Sequence, residues 1–68
     1  MKHETILELL ELTDEFWHEN KKAEVWRDSK GNWCTRHYEN KVWQYDIVHE
    51  GKSKFWAEDA AENYVLLS

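Results

Sequence analysis

The sequence of 68 residues contains no proline, two glycines and a single cysteine. A lone Cys34 cannot form a disulfide within the chain, which excludes a disulfide framework and a cysteine-rich metal cluster. One free thiol fits a reducing compartment, and we therefore expect a cytoplasmic protein. No linker, internal repeat or low-complexity segment divides the chain, so we expect one compact domain over residues 1–68.

Long apolar runs are also missing from the sequence. None approaches the roughly 18 residues of a membrane span, and residues 1–4 do not begin a signal peptide. We therefore expect a soluble protein without membrane partners. The net charge is −5, which argues against general binding of a phosphate backbone, since that requires clustered lysine and arginine. A basic protein surface is the partner that this charge favours.

Aromatic residues are abundant for so short a chain. Five tryptophans, three tyrosines and two phenylalanines supply a large area for burial, which compensates for the small size of the domain. A chain of this length supports one core only. Any helices and any sheet must therefore share it.

Residues 41–49 carry the clearest strand pattern. Trp43, Tyr45 and Ile47 alternate with polar residues, and this period of two places large apolar side chains on one face of an extended strand. Because one strand cannot bury such a face alone, the flanking amphipathic segments are expected to pack against it.

Residues 4–19 have the pattern of a helix. Thr5 and Glu8 have the spacing of a capping box. An apolar stripe follows at helical spacing, and it consists of Ile6, Leu9, Leu10, Leu12, Thr13, Phe16 and Trp17. The sequence therefore predicts an N-terminal helix with an acidic outer surface.

The rest of the chain predicts a meander followed by a second helix. Residues 23–28, 33–39 and 41–49 form three antiparallel strands joined by tight turns, and residues 56–67 have helical spacing. Whether residues 53–55 add a short fourth strand is left open. The predicted fold is α+β in the order α-β-β-β-α, with both helices packed on one face of the sheet.

Negative charge is concentrated in the two predicted helices. Six acids and no lysine or arginine lie between Glu4 and Glu19, and the last helix adds Glu58, Asp59 and Glu62. Two interpretations are open: a solvated surface, or a docking surface for a basic protein groove, including one that normally holds nucleic acid. The second interpretation makes Glu8, Glu11 and Glu15 candidate binding residues.

Aromatic side chains supply a second candidate surface. If Val25 faces the core, Trp26 faces outward, and Trp33 and Tyr38 have opposite parity on the next strand. At least one large ring is then expected on the open face of the sheet. Trp26, Trp33 and Tyr38 are therefore candidate contacts for a partner, with burial of the same rings as the alternative.

Metal and catalytic sites are not expected. Cys34 and His37 form a Cys-x-x-His pair, but residues three apart on a strand point to opposite faces, and no second ligand pair follows. Cys34 with His37 or His49 has the residue types of a nucleophilic site without a recognisable oxyanion turn. We expect neither a metal, a cofactor nor an enzymatic activity.

Residues 51–61, Gly-Lys-Ser-Lys-Phe-Trp-Ala-Glu-Asp-Ala-Ala, resemble the start of the last helix in double-stranded-RNA-binding domains. That pattern is roughly Gly-x-Ser-Lys-Lys-x-Ala-Lys with a following Ala-Ala pair, and the predicted order of elements also resembles the family. The resemblance implies phosphate contacts by lysines at the helix start. Lys54 is retained there, whereas Phe55 and Glu58 replace the other two lysines.

The sequence thus favours a small, acidic, non-enzymatic interaction module. Such a chain suits an inhibitor or adaptor, for example a phage-encoded regulator of a nucleic-acid-handling protein. The alternative is a degenerate double-stranded-RNA-binding-like module that uses Arg36, Lys52 and Lys54. A homodimer formed through the open sheet face or through an edge strand is compatible with either.

Overall fold

Four antiparallel strands and one helix follow one another in the structure, a computed structural model that describes residues 6–67. The elements are β1 (Leu9–His18), β2 (Lys21–Asp28), β3 (Trp33–Glu39), β4 (Val42–His49) and α1 (Lys54–Leu66). Each strand pairs with its neighbours in sequence, in the order β1-β2-β3-β4. The helix packs across β1, β2 and β3. The fold is therefore α+β with two layers, and β1 and β4 form the edges of the sheet.

The predicted N-terminal helix is wrong, and so is the order α-β-β-β-α. The segment forms β1, paired with β2, and the register shifts once between Leu9 and Glu11 and again between Leu12 and Asp14. Each shift adds one residue to β1, so residues on one face are spaced by three there rather than by two. Leu9 and Leu12, for example, lie opposite Asp28 and Trp26 on the same face.

A spacing of three is also the spacing of a helix face, and for this reason the bulged strand carries a helix-like apolar pattern. Backbone pairing favours the strand over the helix, because β1 provides hydrogen-bond partners for the outer side of β2. The side-chain pattern of the segment does not show this pairing. The proposed capping residue Thr5 lies outside the described residues, as does Glu4. Within residues 6–67 the sheet is covered by one helix, not by two.

Two hairpin turns lie side by side at one end of the sheet. Asn40 and Lys41 both have positive φ, at 54° and 69°, as a two-residue turn between β3 and β4 requires. The Asn40 amide donates to the Asn20 carbonyl at 2.8 Å, and the Asn20 side chain donates to the Asn40 side chain at 3.2 Å. These hydrogen bonds join the two turns into one unit.

The core lies between α1 and the first three strands. Its fully buried centre is small, because Ala57 and Ala61 let the helix backbone come close to Ala23 and Val25. Three larger, half-buried aromatic rings pack around this centre: Phe16, Trp33 and Tyr64. Small residues on the helix therefore set the distance between the two layers.

The helix begins two residues earlier than the sequence predicts. Ser53 caps it, because its hydroxyl oxygen accepts a hydrogen bond from the Trp56 amide at 3.3 Å. Glu58 and Asp59 therefore lie in the second turn and not in the first. Residues 53–55 do not add a strand, since the fourth strand of the sheet is β1. No helix within residues 6–67 is long and apolar enough to cross a membrane.

The large side chains of β4 do not share one face, although the alternation of Trp43, Tyr45 and Ile47 predicted that they would. A register shift places Trp43 opposite Tyr38, while Tyr45 lies opposite His37. Gln44 is the extra residue of this bulge, and it turns Trp43 to the face away from the helix. Tyr45 and Ile47 remain on the helix side.

His37 makes the stability of the fold sensitive to acid. It is buried between Tyr45 and Tyr64, with ring centroids 4.2 and 4.7 Å away. Burial is the largest effect and lowers the pKa of His37 below its ordinary value of 6.5, against an opposing hydrogen bond to the Tyr45 carbonyl. Burial also lowers the pKa of His49.

Both histidines bind protons more weakly in the folded chain than in the unfolded chain. We therefore expect the free energy of unfolding to be level above about pH 7 and to fall as the pH drops below 6.5. Urea titrations across this range should show the fall, and His37→Gln should reduce it. A fall of the same size in His37→Gln as in wild type would contradict the assignment of this pH dependence to His37.

Candidate protein-interaction site

The face of the sheet away from the helix is built around one ion pair. Arg36 donates to both carboxylate oxygens of Asp46 at 2.9 Å, and the Trp43 indole also donates to Asp46 at 2.9 Å. The backbone of Leu7 lies on the same pair: its amide donates to Asp46 and its carbonyl accepts from Arg36, both at 2.8 Å. The Asp46 side chain is 0% exposed as a result.

Electrostatics at Asp46 follow from these contacts. Burial by itself would raise the pKa of the carboxyl. The hydrogen bonds from Arg36, Leu7 and Trp43, together with the charge of Arg36, outweigh burial and lower the pKa below its ordinary value of 3.8. Asp46 is therefore ionised at neutral pH, and its carboxylate oxygens accept hydrogen bonds from groups of the same chain.

The neighbouring polar groups on this open face are also satisfied by one another. Buried Glu24 accepts from the Trp26 indole at 2.9 Å and pairs with Lys22 at 3.1 Å. The Lys22 ammonium lies over the rings of Trp17 and Tyr38, at 5.0 and 4.3 Å from their centroids. Trp26 and Tyr38 thus lie on the open face, both half-buried within this network.

A cleft of about 370 Å³ lies at the hairpin end of the open face. Trp17 forms an exposed aromatic wall of this cleft, with 63% of its surface accessible. The other lining residues are Glu19, Asn20, Lys22, Tyr38, Asn40 and Lys41. Its central cation, Lys22, is already paired with Glu24, so the cleft does not present a free charge at its centre.

A second concave surface lies on the opposite side of the molecule, between β1 and α1. We call it the acidic groove and define it by Phe16, Phe55, Glu58, Asp59 and Glu62. It is an open groove of about 540 Å³, with Ser53 and Trp56 at its end. The Phe55 side chain is 82% exposed, so this groove presents an apolar ring directly to solvent.

The charges of the acidic groove are only partly neutralised. Lys54 lies 3.4 Å from Asp14 and 3.9 Å from Glu58. Within the described part of the chain, Asp59 and Glu62 have no cation within salt-bridge distance. Among the described residues, two carboxylates without a cation partner therefore line the same groove as the exposed ring of Phe55.

The three acids that the sequence placed on one helix surface do not share a face. Glu11 lies opposite Arg27 on the helix side of β1, whereas Glu15 lies opposite Glu24 on the open side. Glu8 precedes the strand. The correction follows from the two bulges of β1, which redistribute acids that a helix would align.

Trp33 is separated from the other two candidate rings. It packs against the core on the helix side, with the Arg27 guanidinium 4.6 Å and the Lys54 ammonium 5.7 Å from its ring centroid. The sequence-based candidates Trp26, Trp33 and Tyr38 therefore do not form one patch. Two of them lie on the open face and the third supports the helix.

The cations proposed for nucleic-acid contacts also lie apart. Arg36 is bound to Asp46 on the open face, and Lys54 is bound to two carboxylates on the helix side. Lys52 lies in the loop before the helix, 4.4 Å from the centroid of the Trp56 ring. The structure thus does not bring these three cations together.

Cys34 and His37 point to opposite faces of β3. Cys34 is buried on the open side near Asp28, and burial, together with the Asp28 charge, raises the pKa of its thiol to about 11. His37 lies under the helix. In residues 6–67, no three metal-ligating side chains come together.

Sequence reasoning missed the groove residues Phe16 and Phe55. The helix pattern could have identified Phe55. Ala57, Ala61 and Val65 form the buried stripe of the helix, and Phe55 lies outside that stripe. Asp59 and Glu62 follow Phe55 at helical spacing on the same exposed side. The position of Phe16 could not be found in this way, because it depends on β1 being a strand.

The fold and its surfaces define a class: a four-stranded antiparallel sheet with a C-terminal helix and an exposed, acidic, aromatic groove. Comparison with family models, with curated proteins and with solved structures gives no match. The resemblance of residues 51–61 to double-stranded-RNA-binding domains stays a prediction.

Proposed function

We propose that this protein is a non-enzymatic interaction module whose acidic groove binds a basic segment of another protein. The observation that carries the proposal is that the exposed ring of Phe55 shares one groove with the carboxylates of Asp59 and Glu62, which have no cation partner among residues 6–67. Proteins that handle nucleic acids carry basic surfaces, and an acidic groove is complementary to them in charge. The proposed role is therefore that of an inhibitor or adaptor of such a protein. The cytoplasmic location expected from the lone thiol belongs to the same proposal.

The groove combines two kinds of contact. Carboxylates attract and orient a basic partner over long range, whereas an aromatic ring provides apolar area that anchors it at short range. The open face lacks this combination, since its central carboxylates Glu24 and Asp46 are buried and paired. For this reason the groove, and not the open face, is the proposed site.

A pair of charge variants tests the site. The probe is a short amphipathic peptide of lysine and leucine, and its affinity is measured by calorimetry. Asp59→Asn combined with Glu62→Gln should weaken binding about five-fold, because two lost surface ion pairs at about 0.5 kcal/mol each amount to about 1 kcal/mol. The matched control, Glu8→Gln combined with Glu15→Gln, has the same net charge and should stay within about two-fold of wild type. Equal losses in the two variants would assign binding to net charge alone.

Phe55→Ala tests the apolar anchor separately. We expect peptide affinity to fall about ten-fold, as for a moderate aromatic hot spot, while the urea midpoint stays close to wild type because the ring is largely exposed. Leu10→Ala removes an exposed apolar side chain from β1 and is the control. An unchanged affinity in Phe55→Ala would remove the ring from the site.

Lys54→Gln separates the proposal from the nucleic-acid alternative. Lys54 neutralises Asp14 and Glu58 beside the groove, so its removal should strengthen binding of the lysine-leucine peptide. A double-stranded-RNA-binding-like module predicts the opposite sign for its own ligand, namely weaker and less salt-dependent binding of an RNA duplex. Salt-sensitive RNA binding that Lys54→Gln weakens would support the alternative.

A further inference from the structure

The exposed tryptophan and phenylalanine rings of the chain differ in how they are covered. The Lys22 ammonium lies 5.0 Å from the Trp17 centroid, and the Lys52 ammonium lies 4.4 Å from the Trp56 centroid. Phe55 is more exposed than either tryptophan, at 82%, and no cation from the described part of the chain lies over its ring. Phe55 thus differs from both tryptophans in lacking a cation of its own.

Phe55 and two acids of the groove lie at helical spacing. Asp59 is four residues from Phe55, which places their Cβ atoms about 5 to 6 Å apart on one face of α1. Glu62 follows three residues after Asp59, and all three residues line the acidic groove. Like the ring, the two carboxylates have no cation partner among the described residues. This side of the helix therefore presents two features that attract a cation, namely a π face and carboxylates.

The chain itself shows how a guanidinium uses a ring and a carboxylate together. Arg36 donates to both oxygens of Asp46 at 2.9 Å, and its guanidinium lies 5.5 Å from the Trp26 centroid. One planar group thus makes a bidentate ion pair and also faces a ring. The Lys22 ammonium lies over two rings, but it pairs with one oxygen of Glu24. Of these two cations, the guanidinium makes fuller use of its carboxylate.

We propose that the acidic groove selects arginine over lysine in its partner, with one guanidinium stacked on the Phe55 ring and paired with Asp59. An ammonium is compact and strongly hydrated, whereas a guanidinium is weakly hydrated and stacks readily on an aromatic face. A single ring in an open groove therefore favours arginine. Glu62 then remains to pair with a second basic residue of the same segment. This inference rests on the proposed function and names the residue type that the partner supplies.

Calorimetry with two matched peptides tests the preference. The second peptide, the arginine-leucine peptide, is the lysine-leucine peptide with every lysine replaced by arginine. Wild type should bind it about five-fold more tightly, because one exposed cation–π contact is added to a bidentate ion pair. Equal affinities would overturn the preference and leave the proposed function intact, since the groove would still bind a basic segment. Absence of binding by both peptides would overturn the two proposals together.

Two variants of the same helix test whether the preference depends on the ring. Phe55→Leu keeps an apolar side chain in the groove but removes the π face, so the two peptides should then bind within about two-fold of each other. Trp56→Leu is the matched control, because Lys52 already lies over the Trp56 ring, and it should keep the preference of wild type. Both positions are exposed, so the urea midpoints should stay close to wild type. A preference that persists in Phe55→Leu, or that falls equally in both variants, would overturn the contact with Phe55.

Methylation of the peptide tests the paired geometry. Dimethylated arginine keeps its charge but blocks bidentate hydrogen bonding to a carboxylate such as that of Asp59. The arginine-leucine peptide should therefore lose its advantage on dimethylation and bind no more tightly than the lysine-leucine peptide. An affinity that dimethylation leaves unchanged would overturn the bidentate pairing.

Discussion

Asp46→Ala is expected to lower the free energy of unfolding by about 3 to 5 kcal/mol, the range for removal of one partner from a buried ion pair. Its carboxylate accepts hydrogen bonds from Arg36, Trp43 and the Leu7 amide. Loss of the carboxylate leaves a buried guanidinium without its counterion, and two N–H donors without an acceptor. Urea unfolding followed by tryptophan fluorescence measures the effect.

Two further variants separate the pair from general charge effects. Asp59→Asn removes an exposed acid and should change stability by less than about 0.5 kcal/mol. Arg36→Met combined with Asp46→Leu replaces both charges by apolar groups, and it should be markedly more stable than Asp46→Ala. A loss in Asp46→Ala no larger than that in Asp59→Asn would contradict a structural role for the pair.

The pKa of Asp46 gives the same interaction a pH dependence. Because this pKa is lowered in the folded chain, the stabilisation is present above the ordinary value of 3.8 and is lost as the pH falls through the lowered value. This acid-sensitive range begins near pH 3.8, whereas that of the histidines begins near pH 6.5. The variants His37→Gln and Asp46→Ala assign each part of one pH series to its group.

Ala61→Leu is expected to destabilise the protein by about 1 to 3 kcal/mol, as for overpacking of a well-filled core. Ala61 is fully buried with Ala23 and Val25 against the sheet. A leucine at this position forces the helix away from the strands, although leucine is itself a good helix former. Thermal and urea unfolding of the variant measure the loss.

Asn63→Leu is the matched control for this overpacking. It introduces the same side chain into the same helix at an exposed position, where the change should be neutral or slightly stabilising. Equal destabilisation by both variants would show that the leucine affects the helix and not its distance from the sheet.

The middle and the end of the fold were predictable from local patterns. Turn residues flank β3, whose predicted range 33–39 is the range of the strand. Ala57 and Ala61 are small residues one helical turn apart, a spacing that is typical of a helix packed closely on a sheet. These elements follow simple periods of two and of 3.6, and each period is visible in a short window.

The first strand was not predictable in this way, because its bulges give it a false helical spacing. The extra residue at Gln44 had a similar effect on β4, where it turned Trp43 away from Tyr45 and Ile47. A bulge depends on pairing with a particular neighbouring strand. Periodicity within one segment does not contain that information.

None of the residues that the sequence named as partner contacts lines the acidic groove. The sequence showed acids in both predicted helices, Asp59 and Glu62 among them, but it grouped Glu8, Glu11 and Glu15 as the docking surface. Phe16 of β1 and Phe55 of α1 line the same groove, although they lie in the first and last elements of the fold. Only the tertiary structure brings them together.

The proposed groove is tested most directly by a nuclear magnetic resonance titration of the isotope-labelled wild-type chain with the lysine-leucine peptide. Backbone amide shifts of Phe16, Phe55, Asp59 and Glu62 should move together and saturate, and a peptide with glutamate in place of lysine should leave them unchanged. Shift changes confined to the open face, at Trp17 and Tyr38, would contradict binding in the groove.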